Sequence, residues 1–143
     1  MFEVSVEETF AAGHALRGYR GKCENVHGHN YKVRVTLAGH ELSSIGLLYD
    51  FKDLKDAIHC TVRKLDHQFL NDIAPFDALN PSAENLAKYF YEEITRLLGE
   101  NAPKGNPSAS CTVKRVTVWE TDTTTASYFA DRTSEPRPHG SGG

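Results

Sequence analysis

Cys23-Glu24-Asn25-Val26-His27-Gly28-His29, running on into Asn30-Tyr31-Lys32-Val33-Arg34-Val35-Thr36-Leu37, decides how this chain is read. From Tyr31 to Leu37 apolar and polar residues alternate, the period of a half-buried strand. If the strand continues back through Gly28, then His27 and His29 share the parity of Tyr31, Val33, Val35 and Leu37. Side chains of equal parity project from the same face. Two imidazoles on one face of a strand are a ready pair of metal ligands. Gly28 between them carries no side chain on the opposite face, so a backbone or ligand can come close there. A tetrahedral zinc site that does chemistry wants three protein ligands and one open position, so a third ligand must come from elsewhere.

The preceding stretch supplies it. Phe2 to His14 also reads as a strand, with Phe2, Val4, Val6, Phe10, Ala12 and His14 on one parity and Glu3, Ser5, Glu7 and Thr9 on the other. Glu8 breaks the apolar parity, as at a bulge or a wet rim. Antiparallel pairing of the two strands brings the end of the first beside the start of the second. His14 then meets His27 and His29, and three imidazoles converge. The connection between them is rich in glycine and cations (Arg17, Gly18, Tyr19, Arg20, Gly21, Lys22), either a solvated loop or one suited to an anionic substrate.

Downstream, Asp50 is a candidate N-cap for a helix to about Leu65 with Phe51, Leu54, Ile58, Val62 and Leu65 on its apolar stripe; Asp53 and Asp56 suit its first turns. His59 and Cys60 on it read as structural or solvated. Asp66-His67 is either a helix-end cap beside a surface imidazole or a proton-handling pair. Ser82 is the candidate N-cap of a second helix, with Asn85 at the capping-box position, a stripe of Ala83, Leu86, Ala87, Phe90, Ile94 and Leu97, and Gly99 as a stop. Residues 101–110 read as a loop, Cys111 to Glu120 as a strand, 121–125 as a turn and Ala126 to Ala130 as a short last strand. Glu120 shares the parity of Val116 and Val118, where a carboxylate is unexpected; it suits a cation or two N–H groups of an amidine-like ring. Trp119 faces the other way. The order is strand, strand, helix, helix, strand, strand, in one domain over residues 1–131. The Pro/Ser/Gly-rich stretch 132–143 reads as a disordered tail.

Composition bounds the function. The 143 residues carry a net charge of −3, with 39% hydrophobic and 24% charged residues, and a pI near 6.1. That balance argues against a general nucleic-acid or membrane-surface binder. No apolar run approaches the roughly 18 residues that span a bilayer. Three cysteines at irregular spacing make no disulfide framework, and the N-terminus carries no signal peptide pattern. A reducing cytoplasm, with Cys23 a free thiol, is the expected home.

Phe10-Ala11-Ala12-Gly13-His14, Cys23 to His29, Asp66-His67, Asn80-Pro81-Ser82-Ala83-Glu84-Asn85 and Trp119-Glu120 together resemble the 6-pyruvoyltetrahydropterin synthase / 6-carboxytetrahydropterin synthase family. The likeness runs from Phe2 to about Ala130. With three residues between Cys23 and His27, the spacing is that of the bacterial 6-carboxytetrahydropterin synthases, lyases of queuosine and other deazapurine synthesis. The resemblance implies an α+β tunnelling fold: a four-stranded antiparallel sheet with two helices on one face. Trimers close their sheets into a barrel, and two trimers stack as a homohexamer with active sites between subunits.

The resemblance also implies roles. His14, His27 and His29 would bind Zn2+, which would acidify the side-chain hydroxyls of 7,8-dihydroneopterin triphosphate. Cys23 would be the thiolate base, Asp66 and His67 the second proton relay, and Glu120 the grip on the pterin's guanidine-like edge. Ser82 falls in a stretch that holds the pterin from a neighbouring subunit. Arg17, Arg20, Lys22 and Lys32 are candidates for the triphosphate. The products would be 6-carboxy-5,6,7,8-tetrahydropterin, acetaldehyde and triphosphate. Glu24, directly after Cys23, also satisfies the Glu-x-x-His-Gly-His pattern of a folate-route variant that makes 6-hydroxymethyl-7,8-dihydropterin. The reading from another class is a structural zinc protein, in which Cys23 closes the site as a fourth ligand.

Overall fold

The computed structural model describes residues 1–18, 25–100 and 111–130. Strand β1 (Phe2–His14) is followed by β2 (His27–Gly39), helix α1 (Phe51–Leu65), β3 (Gln68–Phe69), a 3-10 turn over Leu70–Asp72, helix α2 (Ala83–Glu100), β4 (Thr112–Thr121) and β5 (Thr124–Phe129). The strands form one sheet in the order β3-β1-β2-β4-β5.

This corrects the expected four-stranded antiparallel sheet. The four long strands do run antiparallel to their neighbours. A fifth, two-residue strand adds itself parallel to β1, pairing Gln68 with Ala12 and Phe69 with Gly13. The sheet is therefore mixed. The reason is a return of the chain after α1: the His67 N–H donates to the Ala11 carbonyl at 2.6 Å, and the Ala11 N–H donates to Asp66 Oδ1 at 2.9 Å. A two-residue ladder leaves too little alternation to be seen in the sequence.

The β1–β2 pairing has no slip from Phe2↔Gly39 to His14↔His27. Its buried face carries Val6, Phe10, Tyr31, Val33, Val35 and Leu37 against Leu54, Ile58, Val62 and Leu65 of α1 and Leu86, Phe90 and Ile94 of α2. Glu8 breaks the apolar parity because it reaches His59 of α1, Oε2 to Nδ1 at 3.1 Å. On β4 a register shift opposite Thr36 and Leu37 leaves Lys114 unpaired, so Val113 and Val116 both turn inward.

Both helix caps stand as read from the sequence. The Lys52 N–H donates to Asp50 Oδ1 at 2.8 Å and the Asn85 N–H to Ser82 Oγ at 3.1 Å. Asn85 does not close a capping box; its Nδ2 donates to the Asn80 carbonyl at 2.8 Å. Gly99 does not stop α2, which includes Glu100. Arg96, paired with Glu93 at 2.9 Å and Glu100 at 3.0 Å, ties that last turn together. β5 begins two residues earlier than the sequence places it, because the β4–β5 turn is tight, closing with Thr121↔Thr124. No helix among the described residues is long and apolar enough to cross a membrane. The tail over 132–143 and the loop over 101–110 lie outside the described residues.

Candidate metal centre

His14 ends β1, His27 begins β2, and the register sets them directly opposite one another. His29 follows on the same face. One ring nitrogen from each of His14, His27 and His29 lies within 4.8 Å of the others. His14 is fully buried; His27 and His29 are half-buried.

The hydrogen bonds decide what each ring can offer. His14 Nδ1 lies 2.8 Å from the Pro81 carbonyl, and His27 Nδ1 lies 2.8 Å from the Asn25 carbonyl. A carbonyl only accepts, so each Nδ1 carries the hydrogen and each Nε2 is left bare. Yet these two Nε2 atoms face each other at 3.1 Å. Two lone pairs at that distance repel unless a proton or a cation lies between them. The Tyr31 hydroxyl packs 3.1 Å from His14 Nδ1 and is itself fully buried. Burial, and then Glu120, push the Tyr31 phenol well above its ordinary pKa, so it stays protonated.

His29 completes the set differently. Its Nε2 is buried and has no hydrogen-bond partner among the described residues. Glu120 Oε2 lies 3.2 Å away, close enough for charge to act but out of line for a hydrogen bond. Burial holds the His29 imidazole below its usual pKa; Glu120 opposes that, and His14 and His27 reinforce it. A neutral ring is the form that ligates. Three imidazoles, two anchored through carbonyls and the third carrying an orphaned buried nitrogen, fit a bound divalent metal.

The 66–82 segment buttresses this end of β1. Asn71 brackets Ala15, accepting its N–H at 2.9 Å and donating to its carbonyl at 2.8 Å. Asn80 does the same for Arg17, both at 2.8 Å. The two amides replace a strand ladder for chain that has left the sheet. Arg17, a candidate for the triphosphate, spends its guanidinium on the carbonyls of Phe76, Leu79 and Asn71 at 2.8, 3.3 and 3.4 Å. Lys32 sits 4.3 Å over the Trp119 ring and 3.9 Å from Glu7, on the parity opposite the histidines. Neither is turned toward the imidazoles. Arg20 and Lys22, like Cys23 and Glu24, lie outside the described residues.

Asp66 and His67 form their own pair, Oδ2 to Nδ1 at 3.1 Å. The Ala11 N–H, followed by His67, holds the Asp66 carboxyl below its ordinary range. His67 adopts φ 60, a left-handed conformation that costs a non-glycine residue on the order of 1 kcal/mol. Its exposed ring helps line an open cleft of about 380 Å³ whose other lining residues include Gly13, Gly28, His29, Asn30 and Gln68. Gly13 and Gly28, opposed in the register, put no side chain of their own into it. The pair is not part of the three-histidine cluster. Ser82 Oγ accepts from Asn85 and keeps its own proton free to donate.

The sequence signals missed here are of two kinds. The Pro81 and Asn25 carbonyls have no side-chain identity to read. The Asn71 and Asn80 bridges leave only two asparagines nine residues apart, which no local pattern picks out.

Comparison with known proteins places this arrangement. Residues 3–131 match the family model described as 6-pyruvoyl tetrahydropterin synthase. A 6-carboxy-5,6,7,8-tetrahydropterin synthase of Synechocystis is 33% identical, the match covering 94% of this chain and 98% of that protein. One from Aquifex aeolicus is 29% identical over 89% and 97% of the two chains. Among solved structures, Caenorhabditis elegans 6-pyruvoyl tetrahydropterin synthase superposes with a TM-score of 0.73 at 29% identity, covering 92% of this chain and 98% of the other.

Proposed function

The chain belongs to the 6-pyruvoyl tetrahydropterin synthase family, and from that premise we infer that it converts 7,8-dihydroneopterin triphosphate to 6-carboxy-5,6,7,8-tetrahydropterin, releasing acetaldehyde and triphosphate. The observation that carries the reading is the pair of bare Nε2 atoms of His14 and His27 at 3.1 Å, with His29 beside them. Zinc is the metal this donor set suits best, as three imidazoles leave one position open. When bound, it supplies Lewis acidity toward the substrate's side-chain hydroxyls.

The chain's own residues do the rest. Cys23, four residues before His27, removes a proton from the substrate side chain as thiolate. His67, its Nδ1 held by Asp66, moves the other proton from an exposed ring. Glu120 accepts two N–H groups from the 2-amino-pyrimidinone edge of the pterin, and Ser82 donates its free hydroxyl hydrogen to the ring. His67 and His29 line the same cleft, and Ser82 follows Pro81, whose carbonyl holds His14, which supports roles for His67 and Ser82 beside the metal. An assembly of trimers stacked as a hexamer, with sites between subunits, goes with the family reading. The assignment of queuosine-type synthesis rests on the names of the bacterial relatives. A cytoplasmic setting fits the two free cysteines among the described residues, Cys60 and Cys111.

A second product is favoured by Glu24: 6-hydroxymethyl-7,8-dihydropterin. A third follows the worm enzyme's name, 6-pyruvoyltetrahydropterin. Incubation of zinc-loaded protein with 7,8-dihydroneopterin triphosphate, with the product weighed by mass spectrometry, separates the three. Release of acetaldehyde with the 6-carboxy mass is the expected result; either other mass replaces this reading. Cys23→Ala is expected to keep zinc and lose turnover, and retained turnover would place the base elsewhere.

A further inference from the structure

We propose that Asn85 is a positioning residue for His14: it keeps the Pro81 carbonyl out of the first turn of α2 and turned to the His14 Nδ1–H. The proposal deepens the metal-centre reading above and rests on it.

Consecutive carbonyls at the entry to α2 have different receivers. That of Asn80 accepts from Asn85 Nδ2 at 2.8 Å. That of Pro81 accepts from His14 Nδ1 at 2.8 Å. That of Ser82 accepts the Leu86 N–H at 2.9 Å, the first bond of the helix ladder. One more residue of helix would take the Pro81 carbonyl too, since the donor four residues on is the Asn85 N–H. That donor goes to Ser82 Oγ instead, at 3.1 Å. The Asn85 side chain holds the peptide on the other side of Pro81. Asn80 is itself fixed, since its amide brackets Arg17 with two bonds of 2.8 Å. Asn85 therefore grips the chain both before and after the Pro81 carbonyl.

That carbonyl decides the His14 tautomer. The ring is fully buried, and the Tyr31 hydroxyl, 3.1 Å from the same nitrogen, can donate or accept. A hydroxyl alone would allow the hydrogen on either nitrogen. A carbonyl only accepts, so it keeps the hydrogen on Nδ1 and leaves Nε2 bare. Residue type matters as much as place. Glutamate or glutamine at this helix position reaches back as an acceptor for the N-cap N–H. Asparagine, one methylene shorter, presents Nδ2 to the Asn80 carbonyl as a donor.

Two measurements test this without substrate. The first is zinc affinity by competition with a chromophoric chelator, for wild type, Asn85→Ala and Asn85→Glu, with thermal melts alongside. Glutamate closes a capping box and suits a helix N-terminus, so Asn85→Glu should melt at or above the wild-type temperature. It has no donor for the Asn80 carbonyl, and its added charge by itself would favour a cation. Both variants should nevertheless bind zinc about 10-fold more weakly, as on loss of an outer support. Affinity equal to wild type in either variant overturns the proposal, as does a fall confined to the variant that melts lower. The second measurement needs no metal: solvent exchange of the ring proton on His14 Nδ1 in 15N-histidine-labelled protein. It should be about 10-fold faster in Asn85→Ala, one hydrogen bond's worth of protection; equal exchange overturns the proposal. Wild type that binds no zinc sinks it together with the metal centre. Wild type that turns over no pterin, while zinc affinity still falls in both variants, supports it and removes only the proposed reaction.

Discussion

The two ends of the β1–β2 hairpin share one uninterrupted register but are held in different ways. At the Phe2↔Gly39 end the inward residues are Val6, Val35 and Leu37. Their cohesion is apolar burial, non-directional and tolerant of small shifts. At the His14↔His27 end the inward residues are Tyr31 and three imidazoles, and apolar contact cannot fix a ring's rotation. There the chain uses directional bonds: carbonyls on two imidazoles, a carboxylate beside the third, and side-chain amides on the strand's continuation. The pleat treats both ends alike; what differs is whether the buried groups need an orientation or only a volume.

The largest effect that would sharpen this contrast belongs to the apolar end. Leu37→Ala, at a fully buried position, is expected to cost about 2–5 kcal/mol of unfolding free energy in urea titration. Zinc bound per folded chain should stay the same. A loss of zinc in folded protein would show that the two ends are not independent.

Next is His27→Ala. It should lower zinc affinity by about 100-fold or more, since removal of a ligand exceeds the 10–100-fold range of its outer supports. The check is metal content after dialysis. Retained stoichiometric zinc would break the division, because the polar end would then not be built around an ion.

Asn71→Ala should cost about 1–3 kcal/mol, two hydrogen bonds at about 0.5–1.5 kcal/mol each. Chelator titration should show zinc affinity falling with it, since the strand after His14 loses its bracket. A stability loss with zinc affinity intact would reduce the amide to a loop fastener.

The smallest effect concerns acid. Asp66 has its carboxyl held below the ordinary carboxylate value, first by the Ala11 N–H. A depressed native pKa contributes stability above the unfolded-state value and loses it as pH falls through the native one. Asp66→Asn should therefore lower stability at neutral pH and flatten its decline below the ordinary carboxylate range, so that the two profiles converge in acid. A parallel pH profile for the variant, followed by thermal melts, would remove Asp66 from the set of directional ties.

Much of this was legible in the sequence because it is local. Period-two alternation set β1 and β2, and equal parity put His27 and His29 on one face. The caps at Asp50 and Ser82 followed from residue type and position. The antiparallel expectation alone brought His14 into the group. Arg17 was legible as a cation but not as one consumed by three carbonyls. Glu120 was legible as an inward carboxylate, but not as a neighbour of His29, because 91 residues of chain separate the two positions and a bulge sets where Glu120 points.

The sequence by itself determined the strands, the helices and the shared face of the His-Gly-His pair, since pleat and helical period are fixed by covalent geometry over a few residues. Only the tertiary structure decided which nitrogen of the His14 and His27 imidazoles is free. That choice depends on the Pro81 and Asn25 carbonyls, backbone groups that every residue type shares. Their arrival is set by the β1–β2 register and by the return of the 66–82 segment, neither of which leaves a mark in local composition.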